Sequence, residues 1–242
     1  MGQKISVGTL ISGGGTNLQA IIDASLADEI DARIVFTGSD VPDVKGLERA
    51  READIDTFVV DYAGIIRDLK KNGIPDNSLP GDFDLAEIRQ KQQLFGKDAA
   101  DDQVDFFFKS RAIAERQLLD HIGAYEMDLL VLAGFMRVLT PYFIDRINTV
   151  PGNYKIMNIH PALLPSFPGT DGYGDTFRYG CKVGGCTVHF IDYGEDTGPI
   201  IGQKAFDIDD GDTLDDIKKK GLAKEWELYP ACIQKFAQGT IG

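Results

Sequence analysis

Asn158 and His160 stand two residues apart at the end of an apolar run, in "YKIMNIHPALLPSFPG", and His160 is one of only three histidines in the chain. In an extended strand, residues two apart leave the same face. An amide donor and an imidazole on one face suit an oxyanion, the charge that develops when a nucleophile adds to a carbonyl. The prolines that follow give a stiff exit loop. Downstream, "HFIDYGEDTGPIIGQ" carries Asp196 on a constrained turn just before Gly198-Pro199, whereas Asp192 and Glu195 read as solvated acids. A carboxylate beside an imidazole orients it and favours its charged form. Asn158, His160 and Asp196 together could polarise a carbonyl and relay a proton. Taken alone, the same residues leave open a buried structural histidine. Metal binding is the poorer alternative: His160, His189 and an acid are the only candidate ligand set, and they lack the i, i+4 helical spacing of a zincin, so no metal is expected.

A second constellation lies near the start, in "LISGGGTNLQAII". An apolar strand ends, glycines let the backbone turn and approach a ligand, and a helix begins near Thr16. The first amides of a helix lack partners and accept a phosphate well. The spacing matches neither the triphosphate loop G-x-x-x-x-G-K-[ST] nor the dinucleotide pattern G-x-G-x-x-G. It favours a single phosphomonoester, with a ligand-free tight turn capped by Thr16 as the plain alternative.

The elements that must position these groups alternate. Short β-branched runs predict strands over 5–11, 32–36, 57–60, 129–133, 155–159, 186–191 and 200–206. Helical periodicity falls over 17–25, 45–53, 104–122, 141–147 and 213–236. Strand–helix–strand order at this spacing predicts an α/β fold with a mostly parallel, doubly wound sheet, whose ligands sit at the carboxyl ends of strands. A polar stretch over about 64–102, with two prolines and several helix breakers, reads as a solvated insertion, a lid or an interface arm, with room for a helix over 85–95.

Length and charge narrow the classes. The chain has 242 residues and suits one large domain, 1–242. Its N-terminal half, about 1–133, would hold the phosphate. A net charge of −13 argues against a nucleic-acid partner, while a local backbone site can still bind a small anion. No apolar run is long enough to span a membrane. The N-terminus lacks a signal-peptide cleavage pattern and reads as mature structure. Cys181, Cys186 and Cys232 lack metal-ligand spacing and read as free thiols of a cytoplasmic protein.

Five motifs, "SGGGTNLQAII", "VLAGFMRVLTP", "NIHPALLPSFPG", "GCTVHFIDYGEDTGPII" and "EWELYP", occur in the order found in the phosphoribosylglycinamide formyltransferases. The chain resembles that family over nearly its whole length apart from about 64–102. The resemblance implies a Rossmann-like formyltransferase fold with a C-terminal folate-binding half, about 134–242. It implies transfer of a formyl group from 10-formyltetrahydrofolate, a co-substrate, to the amine of glycinamide ribonucleotide in purine (IMP) biosynthesis. Residue by residue, it implies that Asn158, His160 and Asp196 are catalytic and that Gly15, Thr16 and Asn17 hold the substrate phosphate. Glu225 would hold the ribonucleotide, with Gly134, Met136 and Pro161 completing that site. Arg137, Val138, Leu139, Ile156 and the loop from Ile191 to Asp196 would form the folate pocket, and His189 would support the active site rather than perform chemistry. The partners expected are small molecules, with the protein a monomer or a homodimer.

The chain departs from the family's pattern in two places. One is the 64–102 insertion. The other is "TDGYGDTFRYGCK", where many relatives carry a histidine-containing loop leading into a helix; there Tyr173 or Asp175 could stand in, or the segment is a surface turn. Formyltetrahydrofolate hydrolase shares the Asn, His and Asp set but normally carries an N-terminal regulatory domain. Methionyl-tRNA formyltransferase needs an RNA-binding domain and a different continuation of the proline segment. A ligand-sensing module would keep the pocket without the reaction. The phosphate loop with Glu225 favours a ribonucleotide acceptor over all three.

Overall fold

The strand at the centre of the chain explains the architecture. β4 (Leu129–Leu132) is four apolar residues, all buried. Leu129 and Val131 join a hydrophobic cluster on one face of a sheet, and Leu130 and Leu132 join a cluster on the other. A strand apolar on both faces needs helices on both, the condition of a parallel sheet interior.

The computed structural model describes residues 4–75 and 77–241. Among these, β1 (Ile5–Ile11), β2 (Ala32–Ser39), β3 (Asp56–Val59), β4 and β5 (Ile156–His160) are mutually parallel. β6 (Val183–Phe190) pairs antiparallel to β5, and β7 (Ile200–Asp207) antiparallel to β6. The order across the seven strands is β3-β2-β1-β4-β5-β6-β7. This is the mostly parallel, doubly wound α/β sheet expected from the alternation. α1 (Thr16–Leu26), α2 (Lys45–Glu52) and α8 (Leu214–Ala237) cover one face through Leu18, Leu47 and Ile233. α3 (Tyr62–Asn72), α5 (Asp101–Ile122) and α6 (Pro141–Ile147) cover the other through Tyr62, Leu118 and Phe143.

The chain builds outward from β1 to β3, then crosses back to β4 on the other side of β1. Where the winding reverses, the loops leaving β1 and β4 part and open a crevice at the strands' carboxyl ends. Two hydrogen bonds fix the mouth of that crevice: Ser12 N–H donates to Gly134 O at 3.0 Å, and Met136 N–H donates to Ser12 Oγ at 2.7 Å.

Three stretches differ from the sequence expectation. The 64–102 segment is largely exposed, with Ile88 its one buried residue among those described, but it is anchored to the domain rather than a free lid or arm. Its first part completes α3, and α4 (Leu85–Lys91) seats Ile88 in a third cluster with Val104, Phe108 and Tyr142. Apolar residues spaced through a polar stretch supply that cluster. Arg146 pairs with Asp82 at 2.8 Å, and Gln93 N–H donates to Tyr193 O at 3.0 Å, so the segment is tied to α6 and to the 191–196 loop. Asp76, in the same stretch, lies outside the described residues. α4 is shorter than the 85–95 expected because the backbone turns extended at Gln92. Second, β6 starts at Val183, not 186; the glycine pair of "KVGGCT" reads as a loop but ladders with β7. Third, "GYGDTFRY" is α7 (Gly172–Tyr179), not a surface turn; burial of Tyr173 and Thr176 overrides its weak helical propensity.

Candidate active site

The glycine loop after β1 folds as it does because of one residue. Gly15 has φ 68, and a Cβ there would lie 2.6 Å from Gly46 Cα, so both torsion and space demand glycine. Gly15 is the N-cap of α1, and no side chain caps the helix. Thr16 is therefore the first helical residue rather than the cap, and the opening amides of α1 are left for a ligand. Arg49 Nε donates to Gly14 O at 3.0 Å and holds the loop from behind.

These amides border a cleft of about 440 Å³, whose walls include Gly15, Thr16, Asn17, Gly134, Pro161 and Glu225. Glu225 comes from α8 and is buried. Asn17 Nδ2 donates to its Oε2 at 2.6 Å, and Tyr173 Oη donates to its Oε1 at 2.6 Å. Burial raises the Glu225 pKa, and the two donated hydrogen bonds oppose that rise. Lys218 and Leu222 line the same cleft. With Glu225 they stand at i, i+4 and i+7, one face of α8, a spacing visible in "KKKGLAKEWE" that the sequence reading passed over.

A second chamber of about 190 Å³ adjoins the first, and Gly134, Met136, Ile159, Pro161 and Thr170 wall both. Arg137, Val138, Leu139 and Ile191 also line it, together with Asn158, His160 and Asp196. Ile156 shares a face of β5 with Asn158 and His160 and is fully buried in the cluster that also holds Leu139 and Ile191, two residues lining this chamber.

Asn158, His160 and Asp196 meet in the second chamber, next to the Ile159 and Pro161 wall it shares with the first. His160 Nδ1 lies 3.2 Å from Asp196 Oδ2, and its Nε2 donates to Phe167 O at 2.7 Å. Both ring nitrogens thus face oxygen, and a ring carrying hydrogen on both satisfies both contacts. Gly169 N–H donates to Asp196 Oδ2 at 2.8 Å. His189 Nε2 lies 3.5 Å from Asp196 Oδ1 and 3.4 Å from Asn158 Nδ2, while its Nδ1 donates to Phe190 O at 2.9 Å. Burial pushes the Asp196 carboxyl up, but the His189 hydrogen bond, the Gly169 amide and the pull of both imidazoles outweigh it and leave the pKa lowered. Asp196 is hence a carboxylate held at a fixed angle, from a left-handed backbone position (φ 55) that aspartate tolerates. Among the described residues, no group of three or more His, Cys, Asp or Glu side chains is arranged to hold a metal ion. None of the described helices is long and apolar enough to cross a membrane.

The structure places the site residues expected from the sequence along these two chambers, with Ile156 in the buried cluster beneath the second. It adds Ser12, Arg49, Phe167 and Lys218, and of the two stand-ins in the 170–177 stretch, Tyr173 and Asp175, it sets Tyr173 against Glu225. Ser12 and Arg49 act through a loop and a helix far apart in sequence, so no local pattern marks them.

A sequence profile described as Formyl transferase matches residues 5–233. The chain belongs to the formyl transferase family. It is 32% identical over 224 residues to phosphoribosylglycinamide formyltransferase of Bacillus subtilis, covering 93% of this chain and 90% of that one. It is 31% identical to the Escherichia coli enzyme of the same name over 98% of this chain and 89% of that one. In three dimensions it superposes on glycinamide ribonucleotide transformylase 1 of Symbiobacterium toebii with a TM-score of 0.73 and 34% identity, covering 99% of this chain and 90% of the other. The crevice of this formyl transferase is thus two chambers with one shared wall, and the imidazole, amide and carboxylate sit beside that join.

Proposed function

We propose that this enzyme transfers the formyl group of 10-formyltetrahydrofolate to the amine of glycinamide ribonucleotide, a step of de novo purine synthesis. The observation that carries the reading is the pair of chambers joined beside Asn158, His160 and Asp196. One chamber suits a phosphorylated acceptor. The α1 amides at Gly15, Thr16 and Asn17 take the phosphate, Lys218 adds a cation, and the Glu225 carboxylate accepts from ribose hydroxyls. Gly134, Met136 and Pro161 form the passage by which the acceptor amine reaches the join.

The other chamber suits the formyl donor. Val138, Leu139 and Ile191 give it apolar walls and Arg137 a charged end. Arg137 also lines an adjoining depression with Arg67, Lys70, Lys71 and Arg111. Among the described residues none of those last four makes an ion pair, in a chain of net charge −13. A donor whose far end carries carboxylates fits such a boundary.

The chemistry at the join follows from the residues present. The acceptor amine adds to the formyl carbon and negative charge develops on the formyl oxygen. Asn158 Nδ2–H and His160 Nε2–H donate to that oxygen, His160 exchanging the Phe167 carbonyl for it. Each such donor is worth about 3–4 kcal/mol of barrier. Asp196 holds His160 through Nδ1 and, through a water, helps remove the proton of the attacking amine. His189 holds Asn158 and Asp196 in register. Collapse then breaks the bond to the donor nitrogen, which takes up a proton. No covalent enzyme intermediate is required. The free thiols Cys181, Cys186 and Cys232 fit a cytoplasmic location.

The deciding assay is purified protein with 10-formyltetrahydrofolate, with and without glycinamide ribonucleotide. Formylated ribonucleotide should appear, and donor consumption should depend on the acceptor. Deformylation at the same rate without the ribonucleotide would replace this reading with hydrolysis.

A further inference from the structure

The α7 segment is where the chain leaves its family's sequence pattern, and its first buried side chain is Tyr173. The ring enters the core beneath the acceptor chamber, in a small cluster with Phe206 and Ile217. Its hydroxyl donates to Glu225 Oε1 at 2.6 Å. The second donor to Glu225, Asn17, binds the other carboxylate oxygen, so the carboxylate is gripped from both sides. Space for the ring is made by one residue of α8: a Cβ on Gly221 would lie 2.2 Å from Tyr173 Cζ. Gly221 stands four residues before Glu225, one helical turn away. The missing side chain on α8 and the tyrosine on α7 are therefore fitted to each other, beside the carboxylate they serve.

We propose that Tyr173 is a positioning residue for the ribonucleotide: it fixes the Glu225 carboxylate, so that this chain's acceptor affinity depends on a phenol donated from α7. The inference rests on the ribonucleotide reading of the acceptor chamber. Burial, with the Glu225 charge and the hydrogen bond adding to it, pushes the Tyr173 hydroxyl far above the usual phenol range, so it remains a donor at every working pH. Asn17 is not titratable. The other groups around Glu225 are silent too. Burial raises the Cys186 thiol of β6 to about 12 and raises Tyr229, on α8 itself, well above its ordinary value. Asp171 lines the same cleft and the substrate phosphate itself takes up a proton at about pH 6, so Glu225 is reported by the difference between the wild-type and Tyr173→Phe pH profiles of acceptor KM.

The test is Tyr173→Phe, which keeps the ring in the Gly221 recess and should leave the fold unchanged. The KM for glycinamide ribonucleotide should rise about tenfold, the scale of one hydrogen bond to a charged group. The kcat and the donor KM should stay within about twofold. The pH below which the acceptor KM climbs should move upward, a change that mere loss of packing does not produce. Gly221→Ala, which drives the ring out of its recess, should reproduce the rise in acceptor KM. A Tyr173→Phe enzyme with wild-type acceptor KM and an unmoved pH profile overturns the assignment. A wild-type enzyme that does not formylate the ribonucleotide overturns instead the reading on which it rests.

Discussion

The two chambers of the crevice are built from different materials. The acceptor side is made from backbone and one buried carboxylate: the Gly15 turn, the uncapped start of α1, and Glu225 between Asn17 and Tyr173. The reacting side is made from side chains, with Asn158 and His160 on β5 meeting Asp196 from the loop beyond β6. On the proposed reading, backbone amides hold a phosphate and need no proton to move. A transferring formyl group needs donors that strengthen as charge appears and a base that can take a proton. Loss on the acceptor side should therefore appear in KM, and loss on the reacting side in kcat.

The sharpest way to break this contrast is Asp196→Asn. Turnover should fall about 10³-fold, with both KM values within a few-fold and the thermal midpoint close to wild type. Steady-state kinetics beside a melting curve reads this, and near-normal turnover would remove Asp196 from the chemistry. Next in size is a control from outside the crevice. Glu115 on α5 is fully buried, accepts from Thr140 N at 2.8 Å, and is raised to about 7 by burial, against the hydrogen bonds from Thr140. A carboxyl whose folded pKa is raised binds its proton more tightly folded than unfolded. Its contribution is full below about 4.5 and is lost as pH climbs toward 7, on the order of 3 kcal/mol. Denaturant unfolding of Glu115→Gln across that range should lack this decline. Its kcat and KM should match wild type, since burial alone does not make a carboxylate functional.

Glu225→Gln comes third: the acceptor KM should rise about 30-fold with kcat within about threefold, because charge-assisted bonds to the ribose become neutral ones. A kcat loss as large as that of Asp196→Asn would erase the division between the chambers. The smallest effect belongs to Arg49→Ala, which frees the Gly14 carbonyl and loosens the phosphate loop. It should raise the acceptor KM about threefold and leave the donor KM alone.

What could be read in advance follows the range of the interactions. β1, β4 and β5 and the helices between them declare themselves through local periodicity, and the reacting triad through side chains whose chemistry is unusual at that spacing. α3 escaped because its anchor, Tyr62, is one ring ahead of a polar run whose partners lie on α5. α7 escaped because its glycines and aspartates read as a turn, while the force that makes it helical is the burial of Tyr173 against α8. Ile156, on the same face of β5 as Asn158 and His160, is an apolar residue whose depth below the chamber no local pattern gives. The Phe167 carbonyl that occupies His160 Nε2 is a backbone group, and no side-chain pattern announces it.

The bond between Asn17 and Glu225 closes a loop of 208 residues, from the first helix to the last. The acceptor chamber therefore has no precursor in any partly folded chain that lacks α8 against α1. It appears only once the whole sheet has been wound and sealed. A ribonucleotide bound there bridges the two ends of the fold, and its binding energy resists every opening that parts them, including those that leave the central strands intact. Occupancy of the site and integrity of the complete chain become a single equilibrium, so saturating acceptor should slow amide hydrogen exchange in α8 as much as in α1.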